Sequence, residues 1–169
     1  DVQSVTVKGR TYTSSPIYIY EADGALNDSS FDVSLKSDYT LATSGGVTYD
    51  SSNSKLTITN TDGDSVEWTV TKETATVSAA AAPTTVISGG EVTLTATPKS
   101  TVKNPRYSWY YKVKGSSASD TAIVEDSSNA ATTTWSPQDD ISEATTYVVT
   151  CKLNAGDTKE VATDTVEVT

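Results

Sequence analysis

With 169 residues, a hydrophobic fraction of 36% and aromatics at 8%, the chain has room for one large or two small domains but is too thinly apolar for one thick core. Its formal charge of −10 leaves no basic stripe to neutralise phosphates, which excludes nucleic acid as a partner and disfavours anionic membrane surfaces. Histidine and methionine are absent and cysteine occurs once, so no imidazole serves as a base near neutral pH or as a zinc or copper ligand, and no disulfide closes within the chain.

Ser and Thr make up about a third of the residues, and many Thr alternate with Val, Ile or Leu, a pattern that suits half-solvated strands. No stretch has the apolar i, i+3, i+4 spacing of a helix. Neither a signal peptide nor an apolar run of membrane-spanning length occurs. The chain opens on Asp1, as expected of a processed product or a fragment.

Val2, Val5 and Val7 open a first strand, followed by Gly9. Pro16 precedes Ile17–Tyr20, which alternates with period two, and its outward pair is expected to be Tyr18 and Tyr20. The acidic stretch 21–30 reads as a loop. Phe31, Val33 and Leu35 then alternate with Asp32, Ser34 and Lys36, and Gly45-Gly46 marks a turn before Val47–Tyr49. Leu56 and Ile58 on one side, and Val66, Trp68 and Val70 on the other, flank Asp62-Gly63. That spacing predicts a β-hairpin over 54–72.

The character changes after residue 73. Ala79–Ala82 and Pro83 form a small-residue bridge in which Pro83 and the neighbouring Thr and Val oppose a helix. The domain boundary is placed near 73–75, giving domains 1–73 and 74–169, with a boundary at Pro83 as the alternative. Beyond Gly89-Gly90, Val92, Leu94 and Ala96 alternate with threonines. Arg106–Val113 is the densest apolar patch. Its parity sends Tyr107, Trp109, Tyr111 and Val113 inward and Arg106, Ser108, Tyr110 and Lys112 outward. Short strands follow at Ala122–Val124 and Thr132–Trp135, then an acidic connection over 138–145. Tyr147, Val149, Cys151 and Leu153 alternate next, Gly156 makes a turn, and Val161–Val168 closes the chain. About seven short strands at regular spacing predict an immunoglobulin-type sandwich. The expected fold is all-β: two tandem antiparallel β-sandwich (Ig-like) domains, the first small and divergent.

On these residues the second half resembles the bacterial and phage immunoglobulin-like domains, including the polycystic-kidney-disease-like (PKD-like) subgroup. The resemblance spans roughly 76–169. It is carried by Gly90–Ala96 (G-E-V-T-L-T-A), Tyr107–Tyr110 (Y-S-W-Y), Trp135-Ser136-Pro137, Thr146–Cys151 (T-Y-V-V-T-C) and Asp164–Val168 (D-T-V-E-V). In antibody-type domains the tryptophan packs on a disulfide between the second and sixth strands. Here Leu94 or Ala96 stands where the partner cysteine would be, so the resemblance implies that Cys151 is a small buried hydrophobe. Val149 occupies the tyrosine-corner position, with Tyr147 two residues earlier.

Candidate chemistry is sparse. A nucleophilic hydrolase lacks both an activating histidine and a G-x-S-x-G elbow. The acidic pairs Asp139-Asp140 and Asp62/Asp64 read as solvated loops rather than glycosidase carboxylates. Asn60, Asp62 and Asp64 fall at the opening spacing of a calcium loop, but Ser65 replaces the glycine and Thr71 the closing glutamate, so an ordinary hairpin turn is expected. Asp23, Asn27 and Asp28 form a weaker candidate of the same kind. Asn27-Asp28-Ser29 matches the N-glycosylation triplet, and Lys8 is the conceivable lysine for an isopeptide cross-link. No catalytic residue, metal ligand or cofactor is expected.

The resulting expectation is a non-enzymatic structural or adhesive module of a bacterial surface protein or phage virion, located outside the cell, at its surface or on the virion. Its partners would be protein or glycan, without nucleic acid or membrane insertion, and an unpaired edge strand offers a route to self-association. The alternative is a β-sandwich carbohydrate-binding module with Tyr18, Tyr20 and Tyr110 as its ligand-binding residues.

Overall fold

Strands whose every second residue is apolar bury one face and leave the other to water. The computed structural model follows that rule along the chain; it describes residues 2–137 and 143–169. All regular structure among them is strand, apart from single 3-10 turns at Glu21–Asp23 and Asp28–Ser30. The fold is all-β, built from several mainly antiparallel sheets, and is consistent with sandwich packing. No helix among the described residues is long and apolar enough to cross a membrane. The chain divides into two compact units: Asp1–Thr74 with Gly156–Thr158, and Ala75–Ala155 with Lys159–Thr169.

The first unit holds β1 (Val2–Val7), β2 (Arg10–Tyr12), β3 (Ile17–Ile19), β4 (Phe31–Leu35), β5 (Val47–Asp50), β6 (Lys55–Thr59) and β7 (Ser65–Lys72). One sheet runs β2-β1-β4 and the other β3-β7-β6-β5. Val5, Val7 and Tyr12 from the first, and Ile17, Leu56, Ile58, Trp68 and Val70 from the second, share one core with Phe31. The expected 54–72 hairpin is present, pairing Lys55↔Thr69 through Thr59↔Ser65. One pairing departs from the antiparallel expectation: β3 lies parallel to β7, with Ile17 opposite Val70. Parallel neighbours need a long connection, and here the whole of residues 20–64 supplies it.

The second unit holds β8 (Val77–Ala82), β9 (Val92–Pro98), β10 (Pro105–Val113), β11 (Thr121–Ser127), β12 (Thr132–Trp135), β13 (Tyr147–Ala155) and, from Lys159 on, β14 (Thr158–Val168). Its sheets run β12-β9-β8 and β11-β10-β13-β14. The alanines lie within β8, an edge position where small side chains are tolerated. After Pro83 the chain leaves that sheet: Thr84 O accepts from Thr169 N, and Val86 N donates to Thr169 O.

Trp109 is 0% exposed, and its indole N–H donates to Ala130 O at 2.8 Å. Cys151 is its cross-strand partner on β13, and Leu94, Val92 and Val149 are equally buried. Tyr111, Trp135 and Tyr147 form a second cluster, with Trp135 and Tyr147 meeting edge-on at 5.4 Å. Two residues of β10 break the simple alternation. Val113 is 44% exposed because it ends the strand, one residue before Lys114 and the Gly115 turn. Ser108 faces outward but is buried, capped by the N–H of Asp126 at 2.9 Å.

Replacing Trp109 with Ala removes a fully enclosed indole and strands the Ala130 carbonyl, so it is expected to destabilise the second unit by about 3–5 kcal/mol. Denaturant midpoints of wild type and Trp109→Ala check this; a loss below about 1 kcal/mol contradicts the packing described.

Candidate functional site

Period-two alternation delivers polar side chains to the outer face of β11-β10-β13-β14, and the strand register decides which of them meet. Ser108 lies opposite Lys152, Arg106 opposite Asn154, and Tyr110 opposite Thr150. Between β10 and β11 the register slips twice: Tyr107 pairs with Ser127, Trp109 with Val124 and Tyr110 with Ala122. β11 therefore carries an extra residue at each slip, and the first is a bulge of the kind that re-aims side chains. Asp126, at φ 47°, sits in that bulge. Aspartate tolerates the left-handed region better than most residues because its short polar side chain bonds locally.

The bulge turns Asp126 into a hub. Its Oδ1 accepts from Arg106 Nε at 2.9 Å and Asn154 Nδ2 at 3.1 Å, and its carbonyl accepts from the other arm of Arg106. Lys159 Nζ lies 3.7 Å from its Oδ2. Asn154 Oδ1 accepts from the N–H of Glu160 at 2.7 Å, and Glu160 also has a positive φ, 33°. Lys152 Nζ meets Glu160 Oε2 at 2.9 Å and lies 5.8 Å from the Tyr110 ring centroid. The Tyr110 hydroxyl donates to Glu125 Oε1 at 2.9 Å. Together they enclose an open polar cleft of about 260 Å³.

The electrostatics of the cleft favour fixed charges. The Arg106 and Asn154 hydrogen bonds hold the Asp126 carboxyl below its usual range. The bond to Glu160 raises Lys152, while burial and then Glu125 raise the Tyr110 phenol. At neutral pH Asp126 is therefore ionised, Lys152 charged and Tyr110 protonated. These groups offer alternating donors and acceptors, which suits recognition by hydrogen bonds rather than proton transfer at a pKa near 7.

A second polar constellation lies inside the first unit. Arg10 and Asp23 form a bidentate pair at 3.0 and 2.6 Å, both side chains fully buried. Arg10 Nη1 also donates to Thr158 Oγ1 at 2.9 Å, and that hydroxyl donates to Asp23. The N–H of Tyr20 donates to Asp23 Oδ2 at 2.8 Å, and the guanidinium stands 5.0 Å over the Tyr20 ring. The added bonds from Thr158 and the N–H of Tyr20 offset part of the cost of burying the pair.

That arrangement corrects the expectation of an exposed Tyr18–Tyr20 pair. Tyr20 is 4% exposed, because β3 ends at Ile19 and the following 3-10 turn folds the ring under Arg10. Burial pushes its phenol up to about 12. Tyr18 is half-buried, its carbonyl accepting from the Tyr12 hydroxyl at 2.9 Å. Tyr18 and Tyr20 belong to the first unit and Tyr110 to the second, so among the three candidates Tyr110 alone lines the polar cleft.

The other candidates take structural positions. Asn60 is buried, and its Oδ1 accepts from the N–H groups of Asp62 and Asp64, both at 2.9 Å, so it closes the hairpin turn. Asp23 is bound to Arg10, Asp28 Oδ1 accepts from Tyr49 N at 2.7 Å, and Asn27 Oδ1 accepts from Ser29 Oγ at 2.7 Å. They do not converge. Lys8 is exposed in a turn at φ 48°. The pair Asp139-Asp140 lies outside the described residues. Cys151 is fully buried, and burial pushes its thiol up to about 12.

Sequence reasoning missed Glu125, Asp126, Lys152, Asn154, Lys159 and Glu160. The outward parity of β10 and β13 carried part of the signal; the β11 bulge has no signature in residue type. No family model matches the chain, and no curated protein matches it in sequence.

Arg10→Met leaves the Asp23 carboxylate buried without its cation and is expected to cost about 3–5 kcal/mol, whereas Arg10→Met with Asp23→Leu recovers most of that loss; urea denaturation of the three proteins reads the difference. The unfolded Cys151 thiol ionises near 9.0 and the folded one near 12. The native state thus holds that proton more tightly across the window, and its stabilising contribution is complete below pH 9.0 and lost as pH rises through about 12. Cys151→Ala should flatten the fall in urea midpoint measured above pH 9.0; an unchanged slope refutes the assignment.

Proposed function

We propose that the chain is a non-enzymatic structural or adhesive module made of two tandem immunoglobulin-like sandwich domains, carried outside the cell by a bacterial surface protein or phage virion. It serves display or contact with protein or glycan at a surface. The observation that carries this reading is the strand order of the second unit. β12-β9-β8 places strands five, two and one in one sheet, and β11-β10-β13-β14 places four, three, six and seven in the other. That is the immunoglobulin arrangement with the fourth strand moved beside the third. The enclosed Trp109 against Cys151 supports it further, as does the resemblance over 76–169.

The chemistry in view supports a binding role. The polar side chains described are engaged with one another, the lone thiol is buried, and histidine is missing from the composition. The surface is acidic and rich in Thr, which favours solubility and weak non-specific association.

A second reading, a carbohydrate-binding module, is favoured by one observation: Tyr110 stands beside the cleft with both donors and acceptors within it. It uses a single aromatic, since Tyr20 is inside the core.

Incubation of the labelled protein with arrayed bacterial surface proteins and glycans, followed by mass analysis of the ligands, tests the proposal. Retention on an array with chemically unchanged ligand is expected. Turnover of any arrayed ligand, or of a panel of esters and glycosides, overturns it.

A further inference from the structure

We propose that the cleft on the outer face of β11-β10-β13-β14 is a binding site for one uncharged pyranose ring, such as the terminal residue of a surface glycan. The inference rests on the binding-module reading and gives that module a location and a ligand class.

Three independent features converge there. The first is backbone distortion: the β10–β11 register slips beside the cleft, and two of its lining residues, Asp126 and Glu160, hold positive φ without being glycine. Such conformations persist where surrounding contacts over-determine them, and they gather at ligand sites. The second is size. About 260 Å³ falls below the range of pockets for drug-sized ligands and suits a single ring presented from an open side.

The third is charge. Lys152 is paired with Glu160, and Asp126 with Arg106 and Lys159. An anion or cation entering the cleft competes with these partners, whereas a hydroxyl-bearing ring meets acceptors on Glu125 and Glu160 and donors on Lys152 and Lys159 without separating a pair. Tyr110 supplies the apolar contact for the C–H face of the ring, and its own hydroxyl is held by Glu125 at 2.9 Å, which fixes its orientation.

Amide chemical-shift mapping with the methyl glycosides of glucose, galactose and mannose, and with N-acetylglucosamine, tests the site on the full chain. At least one probe is expected to bind with a dissociation constant on the order of 1 mM and to shift the amides of Tyr110, Glu125, Lys152 and Glu160 first. Tyr110→Ala should weaken that binding at least about tenfold, equivalent to about 1.4 kcal/mol, and Glu125→Ala provides an independent variant. Near-ultraviolet circular dichroism of Trp109 verifies that each variant is folded. Four silent titrations to about 50 mM, shifts confined to other surfaces, or inorganic phosphate binding more tightly than every neutral probe would each overturn the site. The sugars are then recovered. Altered sugar keeps the site but ends the non-enzymatic reading, whereas silent titrations end the site and leave display through other surfaces standing.

Discussion

The indole of Trp109 sets the architecture of the second unit. It is fully buried on β10, and its single polar atom is satisfied by the Ala130 carbonyl at 2.8 Å. A side chain of that size cannot be half-enclosed without exposing either its rings or its N–H, so both layers have to close over it. Cys151 stands opposite it on β13, and Leu94, Val92 and Val149 are fully buried as well. With Cys151 as its one cysteine, the chain closes no internal disulfide. Packing, hydrogen bonds and ion pairs hold the unit instead.

The first unit meets a different constraint. Its strands are shorter, three residues in β2 and in β3. Among them it buries Arg10, whose guanidinium is covered by Asp23, Thr158 and the face of Tyr20. The pair contributes geometry more than net stability, since desolvating two charges offsets most of their attraction. It specifies where the 3-10 turn after β3 must sit, because Asp23 also accepts the N–H of Tyr20. Both arginines of the chain are used this way, each clamping an aspartate: one sealed in a core, one at a bulge on a sheet face.

That second clamp links the fold to the proposed role. The bulge at Asp126 is compatible with a continuous sheet only because Arg106, Asn154 and Ser108 meet its carboxylate, carbonyl and N–H. The same bonds hold the cleft residues in fixed positions before any ligand arrives. Preorganised polar groups lose little freedom on binding, which matters for a ligand as small and weakly held as one sugar ring. A rigid sheet face is a better platform for that than the loops at a sandwich end.

Residue type and period alone determined the strand-rich class, the Asp-Gly hairpin and the inward parity of Trp109, because burial on one face of a strand demands alternation and a tight turn demands its own residues. The tertiary structure decided what alternation cannot encode. Tyr20 turned inward because its strand stops one residue earlier, Val113 turned outward because its strand outruns the core, and β3 paired in parallel across a long connection. The cleft belongs to that second group as well. Its side chains come from four strands, and which of them meet depends on register and on the residues inserted in β11, quantities set by how strands pair in space rather than by any local run of sequence.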